Sequence, residues 1–209
     1  HLVKKYGSHY AVNDLSFRVE KGQIYGFLGP NGAGKSTTMN IITGYLAPTA
    51  GEVKINGHDM MKEPEEAKRC IGYLPEMPPV YPDMTVGEYL RFAAQLKRIP
   101  SGKREESIEE VMKMTRIMDM KDRLIRNLSK GYKQRVGLSQ ALLGSPEVII
   151  LDEPTVGLDP KQIIEIRDLI KSLKDKHTVI LSSHILSEVS AICDQILIIS
   201  KGSLAACDT

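Results

Sequence analysis

The stretch that decides the fold is Gly29-Pro30-Asn31-Gly32-Ala33-Gly34-Lys35-Ser36. It fits the pattern G-x-x-x-x-G-K-[ST] in full, between a strand predicted over residues 23–28 and a helix predicted over residues 34–44. Glycines let the backbone curl so that successive N–H groups point inward, and the following helix N-terminus adds partial positive charge. The stretch therefore predicts a loop that binds the phosphates of a nucleoside triphosphate.

Three side chains at the start of the predicted helix suit the same ligand. Lys35 would reach the β- and γ-phosphates, and the Ser36 hydroxyl would be a ligand of Mg²⁺. Thr37 adds a contact on the side of the α-phosphate.

A pair of carboxylates follows the apolar run 148–151. Ligands of open α/β sheets bind at the carboxyl ends of the strands, so Asp152 is expected to hold Mg²⁺ opposite Ser36. Glu153 is then placed to polarise the water that attacks the γ-phosphate, and His184, after the run 179–182, to hydrogen-bond that phosphate. Adjacent acids are common in loops, and a lone histidine is more often structural. The phosphate loop is what favours the catalytic interpretation.

The rest of the chain predicts an α/β fold with an inserted helical segment. Short apolar runs at 148–151, 179–182 and 196–199 are separated by stretches of helical length, which indicates a parallel sheet covered on both faces. Further strands are predicted over residues 12–19, 52–55 and 71–74. Residues 85–144 lack a strand pattern, and helices are predicted there over residues 86–97, 104–118 and 133–143.

Composition narrows the function classes. The 209 residues carry 28 Lys and Arg against 26 Asp and Glu, a formal net charge of +2, so no nucleic-acid partner is expected. No apolar run approaches the roughly 18–20 residues that span a bilayer. The three cysteines form neither a disulfide framework nor a zinc-ribbon spacing, and no signal peptide is visible, so a cytoplasmic chain is expected.

The motif that points to a family is Leu128-Ser129-Lys130-Gly131-Tyr132, followed by Gln134-Arg135. It resembles the signature motif L-S-G-G-Q of ATP-binding cassette (ABC) proteins, and the resemblance runs almost end to end. Tyr6 matches the aromatic residue that stacks on adenine, Gly157-Leu158-Asp159 matches the D-loop, and Ser183-His184 matches the switch histidine.

The resemblance implies an α/β fold with a P-loop NTPase (RecA-like) core around a parallel sheet, an N-terminal antiparallel β region and an inserted α-helical subdomain. Residues 1–209 would form one ABC ATPase domain, with 1–76 and 145–209 as the nucleotide-binding core and 77–144 as the helical subdomain. ATP and Mg²⁺ are the implied ligands. The residues implied to bind the nucleotide are Tyr6, Gly29, Pro30, Asn31, Gly32, Ala33, Gly34, Lys35, Ser36, Thr37, Ser129 and Gly131.

In this family the signature of one subunit closes over the ATP of another. Ser129 and Gly131 would thus contact the partner's γ-phosphate, which implies a head-to-tail dimer with an identical or different cassette subunit. Integral membrane transporter subunits are the other implied partners, and they would hold the chain at the inner face of the cell membrane. The chain would then power transport, in the direction of export.

Three positions depart from the family pattern. The signature has Lys130 and Tyr132 where Gly and Gln are usual, but it keeps Ser129 and Gly131. Glu76 stands where the family has a Gln that contacts the metal. We expect Glu76 to sense Mg²⁺ more strongly than Gln does, because a carboxylate is a charged, hard ligand; a spacer role is the alternative.

The proline-rich stretch 78–82 and the following 85–88 resemble the surface where cassettes meet their membrane subunits, although a plain turn would explain them equally well. Two other functions compete. A non-transport cassette acting on ribosomes or nucleic acid is disfavoured because only 117 residues (152 − 35) separate Lys35 from Asp152, which leaves no room for long coiled coils. A GTPase switch is disfavoured because no Asn/Thr-Lys-x-Asp segment follows Asp152.

Overall fold

The computed structural model describes residues 1–208, which form an α/β fold. In chain order its elements are β1 (Leu2–Tyr6), β2 (His9–Leu15), β3 (Ile24–Leu28), α1 (Lys35–Ile42), β4 (Lys54–Ile55), β5 (His58–Asp59), α2 (Pro64–Arg69), β6 (Ile71–Leu74), α3 (Val86–Leu96), α4 (Ser101–Met114), α5 (Lys130–Leu142), β7 (Val148–Asp152), α6 (Pro160–Leu173), β8 (Thr178–Ser183), α7 (Leu186–Val189), β9 (Gln195–Ser200) and β10 (Ser203–Asp208).

The central sheet has six strands in the order β10-β9-β3-β8-β7-β6. The five strands from β9 to β6 are parallel, as the sequence predicts, and β10 pairs antiparallel with β9 at the edge. Leu28 pairs with Ser183, and Asp152 pairs with Ser182. The carboxyl ends of β3, β7 and β8 therefore lie on the same side of the sheet, which we call its carboxyl edge. The loops that follow these strands emerge side by side.

The apolar strands are explained by two buried clusters. Ile149 and Leu151 of β7 pack in one cluster with the inserted helices, whereas Ile150 packs in the other with Met39 and Ile41 of α1. Because both faces are covered, the strand is apolar at each of its first four positions rather than at alternate ones.

An antiparallel hairpin of β1 and β2 confirms the expected N-terminal antiparallel region. The predicted strand over residues 12–19 is displaced, however, because β2 runs from His9 to Leu15. The cause is the tight turn at Gly7-Ser8, where Gly7 has φ +58°, so pairing with β1 begins three residues earlier than the apolar pattern suggests.

The inserted segment contains α3, α4 and α5, which pack on one another and on the sheet through the first buried cluster. Thr85 begins α3 with a capping box to Glu88. The helix predicted over residues 133–143 starts three residues earlier in the structure: α5 begins at Lys130, because Ser129 is its N-cap. The subdomain boundaries at 76/77 and 144/145 remain a prediction. No helix in residues 1–208 has the length and apolarity that crossing a membrane requires.

Candidate nucleotide-binding site

A cavity of about 500 Å³ opens at the carboxyl edge of the sheet, above the phosphate loop. It is lined from the β1–β2 hairpin, the loop after β3, the start of α1 and the loops after β6, β7 and β8. The lining residues are Tyr6, His9, Ala11, Asn31, Gly32, Gly34, Lys35, Ser36, Thr37, Glu76, Glu153, Val156 and His184. Side chains far apart in sequence thus face one space of a size typical for small-molecule ligands.

The phosphate loop depends on glycine at its tightest points. Gly34 has φ +106°, and a Cβ there would lie 2.5 Å from the carbonyl oxygen of Ala11. A Cβ on Gly29 would lie 2.3 Å from the carbonyl oxygen of Ile199. Gly34 is also the N-cap of α1 and makes no side-chain capping bond, so it leaves the first N–H groups of that helix to other acceptors. The loop forms a helix N-terminus suited to an anion.

Lys35 supplies a buried cation to this cavity. Its side chain is only 6% exposed, and its Nζ donates hydrogen bonds to the carbonyl oxygens of Gly29 (2.6 Å) and Pro30 (3.2 Å). The same Nζ lies 4.0 Å from Oε1 of Glu153. The loop's own carbonyls hold the ammonium group, which is therefore in place before a phosphate arrives.

Glu153 is held in an uncommon backbone conformation at the end of β7. Its φ is +48°, and its N–H donates to Oγ of Ser182 at 2.9 Å. Both carboxylate oxygens of Glu153 lie 3.0–3.1 Å from Nδ1 of His184. The structure brings the predicted base and the predicted histidine into direct contact.

Asp152 lies deeper than its neighbour. It is 5% exposed, does not line the cavity, and accepts a hydrogen bond from Oγ of Ser182. Burial, with the charge of Asp152, raises the pKa of Tyr73 on the adjacent strand. The predicted metal ligands Ser36 and Glu76 do line the cavity. The hydroxyl of Ser36 and the carboxylate of Glu76 are hard oxygen donors of the kind that Mg²⁺ prefers, so these lining residues fit that ion.

The predicted signature residues lie elsewhere. Ser129 and Gly131 are at the start of α5 and do not line the cavity. Oγ of Ser129 accepts a hydrogen bond from the N–H of Tyr132 at 3.4 Å. A Cβ on Gly131 would lie 2.6 Å from the side chain of Gln162, so glycine allows α5 to approach the start of α6. The described chain does not bring this helix terminus to its own cavity.

Some lining residues were missed by sequence reasoning. His9 and Ala11 reach the cavity because the β1–β2 hairpin folds over the phosphate loop, and Val156 reaches it through the loop after Glu153. No motif marks these positions. Conversely Gly29, Pro30 and Ala33, predicted to bind nucleotide, contribute backbone to the loop and do not line the cavity.

A family model described as "ABC transporter" matches residues 12–156, well over half of the chain. The chain belongs to the ABC transporter family. Members of this family are ATPases, and the ATP-binding subunits of its transporters bind and hydrolyse ATP.

Two ABC relatives illustrate the similarity. The bacitracin transport ATP-binding protein BcrA of Bacillus licheniformis is 42% identical over 205 residues, which cover 97% of this chain and 66% of BcrA. The linearmycin resistance ATP-binding protein LnrL of Bacillus subtilis is 36% identical over 209 residues, which cover 100% of this chain and 67% of LnrL. The chain spans about two thirds of the length of these ABC relatives.

The ABC fold is also shown by a solved dimer. The post-hydrolysis dimeric structure of the ATP-binding cassette MJ0796 bound to ADP and Pi superposes with a TM-score of 0.88 at 26% identity. The match covers 100% of this chain and 96% of that one.

Proposed function

We propose that this chain is the ATP-binding and ATP-hydrolysing part of a membrane transporter, and that ATP-driven closure of a head-to-tail dimer powers export. The observation that carries the proposal is that Lys35, Glu153 and His184 line the same cavity above a phosphate loop. The relatives' names, a transport ATP-binding protein and a resistance ATP-binding protein, support the transport role and the direction.

In the proposed mechanism, the chain first neutralises the triphosphate. The uncapped N–H groups at the start of α1 donate hydrogen bonds to phosphate oxygens, and Lys35 exchanges its bonds to the loop carbonyls for bonds to the β- and γ-phosphates. Tyr6, half exposed at the rim of the cavity, offers its ring to adenine.

Glu153 then acts as the general base. It polarises the attacking water, and Nδ1 of His184 fixes the direction of its carboxylate. Ser36 would hold Mg²⁺ directly and Asp152 would hold it through water, with Glu76 nearby; when bound, the ion would supply positive charge to the phosphate oxygens. The buried hydrogen bond from Ser182 keeps Asp152 at that edge of the sheet.

The second half of the site would come from another cassette. Ser129 and Gly131 lie outside the chain's own cavity, at a helix N-terminus suited to a γ-phosphate. The dimeric state of MJ0796 supports this arrangement by similarity. ATP would favour the closed dimer because its γ-phosphate touches both subunits, and hydrolysis would reopen it.

Membrane-spanning subunits complete the proposed transporter and hold the chain at the cytoplasmic face. The stretch that resembles their docking surface is partly exposed: Tyr81 is 51% accessible, whereas Val86 and Gly87 are buried.

The test is phosphate release by Glu153→Gln. We expect kcat to fall about 1000-fold because the general base is lost, while ATP binding, measured by fluorescence titration, is retained. The control is Glu52→Gln, an exposed glutamate paired with Lys54, which is expected to keep the wild-type kcat. A kcat within fivefold of wild type in Glu153→Gln would contradict the assigned role of Glu153.

A further inference from the structure

A buried carboxylate outside the nucleotide cavity has no role in the mechanism above. Glu188 lies on the short helix α7 and is 7% exposed. It does not line the cavity. A buried carboxylate is costly unless it is hydrogen-bonded or paired, so its contacts indicate what it is for.

One oxygen of Glu188 joins two loops. Oε2 accepts a hydrogen bond from Oγ1 of Thr155 at 2.7 Å and another from Oγ of Ser183 at 3.2 Å. The other oxygen, Oε1, faces the guanidinium of Arg167 on α6, with Nη2 at 3.8 Å. The carboxylate is thus satisfied by two hydroxyls and one cation.

The two hydroxyls flank the proposed catalytic pair. Thr155 is two residues after Glu153, and Ser183 directly precedes His184. Oγ of Ser183 also accepts a hydrogen bond from the N–H of Ile185 at 3.1 Å, so this hydroxyl fixes the turn that contains His184. Glu188 therefore connects the loop that carries Glu153 with the loop that carries His184.

We propose that Glu188 is a positioning residue that sets the distance between Glu153 and His184. The inference rests on the proposed function, since it concerns the same hydrolysis. Hydrogen bonds to an ionised group are about twice as strong as neutral ones, which makes a shared carboxylate an effective brace between two loops. Without Glu188, each loop keeps its contacts with the sheet, but the distance between the two loops is no longer fixed.

The first test is Glu188→Ala. We expect kcat for ATP hydrolysis to fall about 100-fold, the size of effect produced by a misplacement of about 1 Å. The KM for ATP should stay within about threefold of wild type, because the phosphate loop and Lys35 are untouched.

The second test does not disturb the buried charge and therefore serves even where Glu188→Ala folds poorly. Thr155→Val keeps the shape of the side chain but removes the hydroxyl, and Thr155→Ser keeps the hydroxyl. We expect Thr155→Val to lower kcat about 10-fold, in line with the loss of one hydrogen bond to a charged group, and Thr155→Ser to restore most of it.

The matched control is Asp194→Ala. Asp194 is also a carboxylate that accepts a backbone hydrogen bond, from Ile24, and pairs with a cation, Lys174, but it lies at the opposite end of β3. Its loss is expected to lower the melting temperature and leave the kcat of the folded protein unchanged. In double-mutant cycles, Thr155→Val should be non-additive with Glu188→Ala and additive with Asp194→Ala.

The outcomes separate the two proposals. A wild-type protein that does not hydrolyse ATP overturns the proposed function. A wild-type protein that does, with Thr155→Val at full kcat or with Glu188→Ala and Asp194→Ala equally active per folded molecule, overturns the role of Glu188 alone.

Discussion

Two helices of this protein begin in ways that differ, and the difference separates the two halves of the proposed site. Helix α1 begins after Gly34, which has no side chain to cap it, and its first turn lines the cavity. Helix α5 begins after Ser129, whose hydroxyl caps the N–H of Tyr132, and this turn lies away from the cavity.

An uncapped helix N-terminus inside a cavity already faces the space where a ligand binds. A capped one outside the cavity has its first donors partly satisfied by its own serine. In the proposed dimer, the first terminus binds ATP within one chain, and the second meets the γ-phosphate only when a partner cassette arrives. The account therefore predicts that changes at α1 affect ATP binding, whereas changes at α5 affect turnover and closure.

The largest effect on binding is expected at α1. Lys35→Ala should weaken ATP affinity on the order of 100-fold, because charge-assisted hydrogen bonds to the phosphates are lost. Lys174→Ala, which removes a partly exposed lysine paired with Asp194 at the other end of the sheet, should leave the affinity unchanged. Isothermal titration calorimetry measures the ATP affinity of each variant. Equal affinities in the two variants would contradict the proposed role of the α1 terminus in ATP binding.

A smaller effect is expected at α5. Ser129→Ala should lower kcat about 10-fold and leave the monomer's ATP affinity unchanged. Its matched control is Thr85→Ala, which removes the N-cap of α3. Each of the two variants loses one helix cap and should cost about 1 kcal/mol of stability, but Thr85→Ala should leave kcat unchanged. If both variants lose stability and neither loses activity, Ser129 serves only as a cap.

The smallest effect is expected at Glu76, which lines the cavity and belongs to neither helix. Glu76→Gln should raise the Mg²⁺ concentration for half-maximal hydrolysis roughly threefold, because a charged oxygen ligand is replaced by a neutral one. A Mg²⁺ titration of phosphate release that is unchanged would favour a spacer role.

The sequence predicts the phosphate loop and the start of α1 because the residues that form them are close together in the chain. The glycines of the loop, Lys35 and the strand before them are contiguous, and the parallel strands β7, β8 and β9 are apolar at successive positions. Local chemistry also marks Ser129 and Gly131, although α5 begins three residues before its predicted start, because two lysines and a glycine leave its first turn without a helical apolar pattern.

The features that the sequence does not predict depend on contacts between segments that are distant in the chain. Strand β10 was not predicted because Ser203–Asp208 lacks β-branched residues and turns back through Lys201-Gly202, both at positive φ. His9 enters the cavity only through the fold of the hairpin. Glu188 is 33 residues from Thr155, and nothing in either local sequence indicates that they meet.

The central claim is that the α1 terminus of one chain and the α5 terminus of another close on the same ATP. Light scattering coupled to size-exclusion chromatography of Glu153→Gln, with and without Mg·ATP, tests it most directly. The account predicts a monomer without nucleotide, a dimer with Mg·ATP, and loss of that dimer when Ser129→Ala is added. A Glu153→Gln chain that binds ATP and remains monomeric at high protein concentration would contradict closure by this chain alone.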